Sequence, residues 1–345
     1  MPRIIDCVIF GQREMAILAL RVDTLCHVVD TFVIAMGTAS LSGLPISPFL
    51  SPQNVSSLQS RCPSSELHVV IIDTRGLRGK HAQWQTLDRQ MSGAVAKARS
   101  LGMADDTIVA VTEHDEIPSP ALLTECASAS WGNDPRMLTL RTAYFYYYHG
   151  RCGGLSDWSL GFIANGAALN LRPGTSINAV RRTRSGDSAG LVADTSAVRH
   201  TAAETADYVP MIWLRLFAAR IRGVRDKRPD DTPPIDGYQQ SGFPAPHFAV
   251  NRSWHLSTFM SAVDVLDKVR NGAHPECQAH PFTTYAWQQD AQRTCRHFCR
   301  NEVMRPIDDL GQRALPKDAF PAALCWPEYS QFAPDVWCAE HGLKP

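Results

Sequence analysis

The sequence has no surplus of charge of either sign. Its 34 Lys and Arg face 34 Asp and Glu, so no overall field draws it to nucleic acid or to an anionic membrane. No stretch approaches the ~20 apolar residues of a membrane-spanning helix. There is no Gly-x-Gly-x-x-Gly turn and no Walker-type loop, which counts against dehydrogenases and P-loop nucleotidases. The Gly-x-Ser-x-Gly elbow of α/β-hydrolases is absent too. A second dense cluster of His and Asp, which a metal-dependent hydrolase would need, is also missing, and no internal repeat is visible. Read as it stands, the start predicts no secretory leader: Met1-Pro2-Arg3 leads directly into Ile4-Ile5-Asp6-Cys7-Val8-Ile9-Phe10, which reads as a first core strand.

What is present is the composition of an ordinary globule. The 345 residues are 44% hydrophobic and 20% charged, enough for one large domain or two modest ones. Ten cysteines are many for a reducing compartment. Cys7, Cys26 and Cys126 lie in apolar runs, where a thiol behaves as a small hydrophobe. Cys277-x2-His280 followed by Cys295-x3-Cys299 roughly matches structural-zinc spacing. The last two thiols also fit one face of a helix.

The first third alternates strand and helix. After the Ile4–Phe10 strand, Met15, Leu18, Val22 and Leu25 recur at helical spacing over 13–26. Strands are expected over 28–35 and 67–72, with a Ser-, Pro- and Gly-rich loop over 40–61 between them. Arg75-Gly-Leu-Arg-Gly-Lys80 makes a basic turn. Trp84, Leu87, Met91 and Val95 then mark a helix ending at Gly102. This alternation predicts a doubly wound α/β half. Beyond it, 136–148 reads as an aromatic strand, either plain core or a stacking platform for sugar rings or bases. Further strands are expected over 158–163 and 167–171, an ambiguous, mainly helical stretch over 202–224, and a Pro- and Gly-rich loop over 225–247. Ser257 is a plausible cap for a helix ending at Arg270, 283–300 reads as helical, and the tail from Leu315 as irregular.

The rest is arranged around Thr107-Ile-Val-Ala-Val-Thr-Glu-His-Asp-Glu-Ile-Pro118. Its β-branched run predicts a buried central strand that Pro118 ends. Acids at the carboxyl end of such a strand stand where open α/β sheets bind ligands. On extended backbone Glu113 and Asp115 share a face and could hold one divalent cation; the competing reading is a solvated acidic turn. A glycosyl transfer from a nucleotide-sugar needs this inventory. Its diphosphate leaving group requires positive charge, and inversion requires a carboxylate base at the acceptor hydroxyl.

An ordered series of short motifs resembles glycosyltransferase family 17, the group that includes the enzyme adding bisecting N-acetylglucosamine to N-glycans. It comprises Arg3-Ile-Ile-Asp-Cys7, Glu14 and Arg21, Val28-Val-Asp-Thr-Phe-Val-Ile34, and Trp84. Glu113-His-Asp-Glu-Ile-Pro118 stands at the family's Asp-x-Asp-Glu-Ile-Pro signature. Tyr144–Tyr148, Trp158, Trp254-His-Leu-Ser257, Lys268 and His274-Pro-Glu276 follow in order. The resemblance implies an α/β fold of GT-A type, a mixed sheet flanked by helices, in one catalytic domain. Residues 1–130 would form the nucleotide-sugar half, 131–314 the acceptor half and 315–345 an irregular tail. It implies inverting transfer of N-acetylglucosamine from UDP-GlcNAc to a mannose-containing glycan, with Mn²⁺ or another divalent cation. Glu113, Asp115 and His255 would hold the metal; Glu14, Arg21, Glu116, Trp158 and Trp254 would bind the donor; Glu276 would be the base, with Asp264 behind it.

The chain departs from the family pattern at several positions. Glu113 replaces the first signature Asp, and Ser253 the glycine before Trp-His. Met36 stands where an acid ends the second strand, Ala16 and Ala19 where helix acids stand, and Met91 where an arginine is usual. A GT-A domain that binds a glycan or protein without turnover therefore remains an alternative, as does a metal-dependent hydrolase. Taken as written, the start implies the cytosol; with an N-terminal anchor removed, the Golgi or secretory lumen.

Overall fold

A computed structural model describes residues 1–10, 14–41, 46, 50–77, 82–129, 137–140, 142–147, 152–158, 161–170, 253–256, 261–271, 275–299, 305–306, 321–329 and 338–339. For 82–84, 137–139, 142–147, 152–158, 271, 275–276 and 305–306 this covers the backbone alone. The stretches expected over 202–224 and 225–247 lie outside the described residues.

The first sheet has six strands in the order β3-β2-β1-β4-β9-β6. These are β1 Ile4–Ile9, β2 Thr31–Gly37, β3 Glu66–Ile72, β4 Ile108–Glu113, β6 Met137–Thr139 and β9 Phe162–Asn165. Pairings among the first four are parallel; β9 runs antiparallel to both β4 and β6. β1 and β4 form the inner pair, so the run before the acids is central, as its β-branched composition predicts. Alternation along the strands divides the core. Val8, Ile34, Met36 and Ala110 belong to one cluster with Leu18, Val22 and Leu25 of α1, Met15–Leu25. Ile5, Cys7, Ile9, Val33, Ala35, Val109 and Val111 belong to another with Leu87, Met91, Val95 and Ala98 of α3, Ala82–Ser100. A mixed sheet flanked by helices is the expected α/β class.

The second sheet has the order β11-β8-β7-β10-β5. Its strands are β5 Glu116–Pro118, β7 Thr142–Tyr147, β8 Cys152–Trp158, β10 Ser253–His255 and β11 Arg305–Pro306. Pro118 thus ends the passage through the first sheet but lies in an edge strand of the second, where a missing N–H is tolerated.

Several local expectations are corrected. The 40–61 loop contains α2, Pro52–Arg61. Ser51 accepts a hydrogen bond from the Asn54 N–H, Pro52 opens the helix, and Leu58 is buried, a cap signal that the loop-like composition hid. The strand expected over 167–171 is a short helix, α5 Gly166–Asn170, started by Asn165 Oδ1 accepting from Ala168 N–H at 3.2 Å. The aromatic run divides between β6 and β7, and 158–163 between β8 and β9, because each crosses from one sheet to the other. The helix α6 spans Ala262–Asn271, and Ser261 rather than Ser257 stands before it, accepting from Asp264 N–H at 3.3 Å. The helix expected over 283–300 is α7, Tyr285–Thr294, ended by Cys295 in the left-handed region at φ 51°. Short 3-10 turns order part of the tail, where Tyr329 is buried and bonds Asp23 and Arg61.

The cysteine reading changes most. Cys277 and Cys299 are joined as a disulfide, which removes the zinc reading because oxidised sulfurs are not thiolate ligands. Cys26, read as a small hydrophobe, is bonded to Cys62, and Cys325 to Cys338. Cys7 and Cys126 are buried as expected.

Candidate functional site

The site forms where the chain leaves one sheet for the other. β4 ends at Glu113, His114 and Asp115 turn, and β5 begins at Glu116. Arg21 of α1 holds this turn from beneath. It is wholly buried and grips Asp6 of β1 by two hydrogen bonds, Nε to Oδ2 at 2.7 Å and Nη2 to Oδ1 at 2.6 Å. Nη1 donates to the Glu113 and Glu116 carbonyls at 3.0 and 2.7 Å, and Nη2 to Thr112 Oγ1 at 2.6 Å. All five N–H groups of the guanidinium are thereby used inside the protein. Arg21, expected to touch the donor, shapes the turn instead.

Further bonds fix the turn. His114 N–H donates to the Ile9 carbonyl at 3.1 Å, and Leu256 N–H, just after β10, to the Asp115 carbonyl at 2.8 Å. The Glu116 carboxylate accepts from Glu113 N–H at 3.0 Å. Gly161 stands close by: a Cβ there would lie 2.7 Å from Thr112 Cγ2 and 3.4 Å from Glu116 Oε2, so only glycine fits without displacement.

On this turn Glu14, His114 and Asp115, all buried, bring their polar atoms within 4.8 Å of one another. Glu14 precedes α1. One of its oxygens bonds His114 Nε2, and the other lies 3.0 Å from the ammonium of Lys268 on α6. Lys268 Nζ also donates to Asp115 Oδ2 at 3.0 Å. His255 Nε2 stands 3.7 Å from that same oxygen, while Asp115 Oδ1 is buried with no hydrogen-bond partner among the described residues.

The charge states follow from the partners. Burial pushes the Asp115 carboxyl up, but Lys268 and then His255 outweigh it and hold it well below the usual range. Burial likewise raises Glu14, and Lys268 and His114 bring it down. Burial lowers Lys268, yet Asp115 and Glu14 leave it raised. His114 is depressed by burial but raised on balance by Glu14. Its Nδ1 lies 3.3 Å from the Ile9 carbonyl oxygen. Both ring nitrogens thus face oxygens that only accept, the arrangement of an imidazolium.

The predicted residues separate accordingly. Glu14, Asp115 and His255 come together. Glu113 stands outside the Glu14–His114–Asp115 group, because Asp115 lies in the turn and not two residues along one extended strand. Glu116 is buried in β5, in register with His255. Trp254 faces the core, as alternation along β10 requires when His255 faces Asp115. Asp264 is exposed and accepts from Ser261 Oγ at 2.5 Å. Glu276 lies in a 3-10 turn, Pro275–Gln278, and Trp158 ends β8; their side chains are outside the description. Met36 and Met91, the departures expected near the donor, are fully buried in separate core clusters. Sequence reasoning missed His114 and gave Lys268 no role. The only signal was a histidine inside the acidic motif and a lysine at the family's spacing.

Residues 1–159 match the family model for glycosyltransferase family 17. No curated protein matches the chain.

Proposed function

Because the chain belongs to glycosyltransferase family 17 by its residues 1–159, we propose that it transfers N-acetylglucosamine from UDP-GlcNAc to a mannose-containing glycan with inversion. One observation carries this reading. Glu14, Asp115, His255 and Lys268 converge at the carboxyl end of the central strand β4, the place where open α/β sheets bind ligands. Donor contacts come from that edge, and Glu276 takes the acceptor proton. Asp264 is the weaker candidate, since its carboxylate is engaged by Ser261 at the start of α6.

The disulfides Cys26–Cys62, Cys277–Cys299 and Cys325–Cys338 support an oxidising compartment such as the secretory lumen. Among the described residues no helix is long and apolar enough to cross a membrane.

The test is a transfer assay with UDP-GlcNAc and mannose-terminated glycans, the product read by mass spectrometry. Glu276→Gln should keep donor binding by calorimetry and lose transfer by about 10²-fold or more, the scale of a general base. Unchanged turnover in that variant would remove Glu276 from the reaction. No product from any nucleotide-sugar would remove the transferase reading.

The divalent cation implied by the resemblance is a separate matter. Its oxygen ligands would be Glu14 and Asp115, with His114 as a nitrogen ligand. An ammonium already lies between the two carboxylates, and both ring nitrogens of His114 face acceptors. These residues do not fit a resident metal.

A further inference from the structure

We infer that Lys268 supplies the positive charge at the end of β4 in place of a metal, so that this chain binds the diphosphate of its donor without a divalent cation. The second half of the statement rests on the transferase reading; the first stands on the geometry alone.

The space is the first argument. Lys268 Nζ lies 3.0 Å from Glu14 Oε1 and 3.0 Å from Asp115 Oδ2. A hard divalent cation would sit about 2.0–2.6 Å from the same oxygens. Ammonium and metal cannot both occupy that gap. Charge is the second argument. The ammonium of Lys268 already stands 3.0 Å from each of the two buried carboxylates and offsets half of their charge. Adding two positive charges would leave a surplus in a poorly solvated place, which is costly.

The third argument is the support behind the ammonium. Lys268 stands on α6, whose Val265 and Val269 pack with Cys277, Ala291, Cys295 and Cys299. The Cys277–Cys299 disulfide ties that cluster together. The helix is thereby held against a second small core, which fixes where the lysine starts. Of the three N–H groups of the ammonium, one donates to Asp115, and the charge pairs with Glu14 at 3.0 Å. The remaining donor capacity has no hydrogen-bond partner among the described residues, and 16% of the side chain is exposed. That capacity is available to a phosphate oxygen, and the two carboxylates keep the ammonium aimed.

Two titrations test this. Mn²⁺ is first titrated into the wild-type chain, with free Mn²⁺ followed by electron paramagnetic resonance. No site tighter than about 1 mM is expected. Lys268→Met, which vacates the gap between Glu14 and Asp115, should gain one, and that site should vanish again in Lys268→Met/Asp115→Ala. Micromolar binding by the wild type that is lost in Asp115→Ala overturns the proposal, and needs no Lys268 variant to fold. UDP-GlcNAc is then titrated calorimetrically in EDTA and in Mn²⁺. Dissociation constants within about 2-fold are expected; binding that appears only with Mn²⁺, or tightens about 10-fold or more, overturns it. Absence of UDP-GlcNAc binding under both conditions removes UDP-GlcNAc as the donor and leaves the Mn²⁺ titration to decide the role of Lys268.

Discussion

At the residue scale, His114 illustrates how one contact decides a charge. Alone it would titrate near pH 6.5. Buried against Glu14, and with a carbonyl at its other nitrogen, its folded value is raised despite the burial. A raised folded value means that the histidine's contribution is complete below the unfolded value of about 6.5 and is lost as pH climbs through the folded one. Glu14 and Asp115 are held low, so theirs is present above about pH 4 and disappears on acidification. We expect urea denaturation to show the largest stability gap between wild type and His114→Gln below about pH 6.5, shrinking at higher pH. A gap that stays constant across that range would show the folded imidazole to be neutral.

At the scale of the element, α6 is the part on which the site depends most. Ser261 and Asp264 form a reciprocal cap at its start: Ser261 Oγ accepts from Asp264 N–H and donates to its carboxylate. Lys268 lies one turn further on. Replacing Ser261 by Ala should cost about 0.5–2 kcal/mol by thermal or urea unfolding, with donor affinity falling only as the helix start frays. Asp264→Asn should remain active, since its carboxylate caps the helix. A loss of transfer in Asp264→Asn as large as in Glu276→Gln would make Asp264 the base.

For the whole molecule, disulfides fasten pieces that hydrophobic packing alone would leave less constrained. Cys26–Cys62 joins the end of α1 to the end of α2 across 36 residues of sequence. Cys277–Cys299 ties the turn after α6 to the segment after α7 across 22. Loop closure of this size is worth about 2–4 kcal/mol. Cys26→Ala/Cys62→Ala should therefore unfold at lower urea by that amount, and dithiothreitol should act on wild type in the same direction. An unchanged midpoint in both would place the stability elsewhere, in the two clusters flanking the first sheet.

The sequence alone determined the alternation of the first third, the central place of the 107–113 run and the acidic end that follows it. Those are consequences of local pattern: β-branched runs, helical spacing and a proline act within a few residues of themselves. Composition misled where a cap outweighed it, as at Ser51-Pro52, and where one aromatic run served two sheets. The site itself was legible only in part. Asp115 and His255 were named from the motif and the resemblance, and Glu14 was named as a donor contact. That His114 joins them in place of Glu113 was decided by the turn between the sheets. That Lys268, 153 residues from Asp115 in sequence, fills the gap between the acids was decided only when α6 brought its ammonium to the turn after β4. Charges find partners by distance in space, and periodicity carries no information about distances that long.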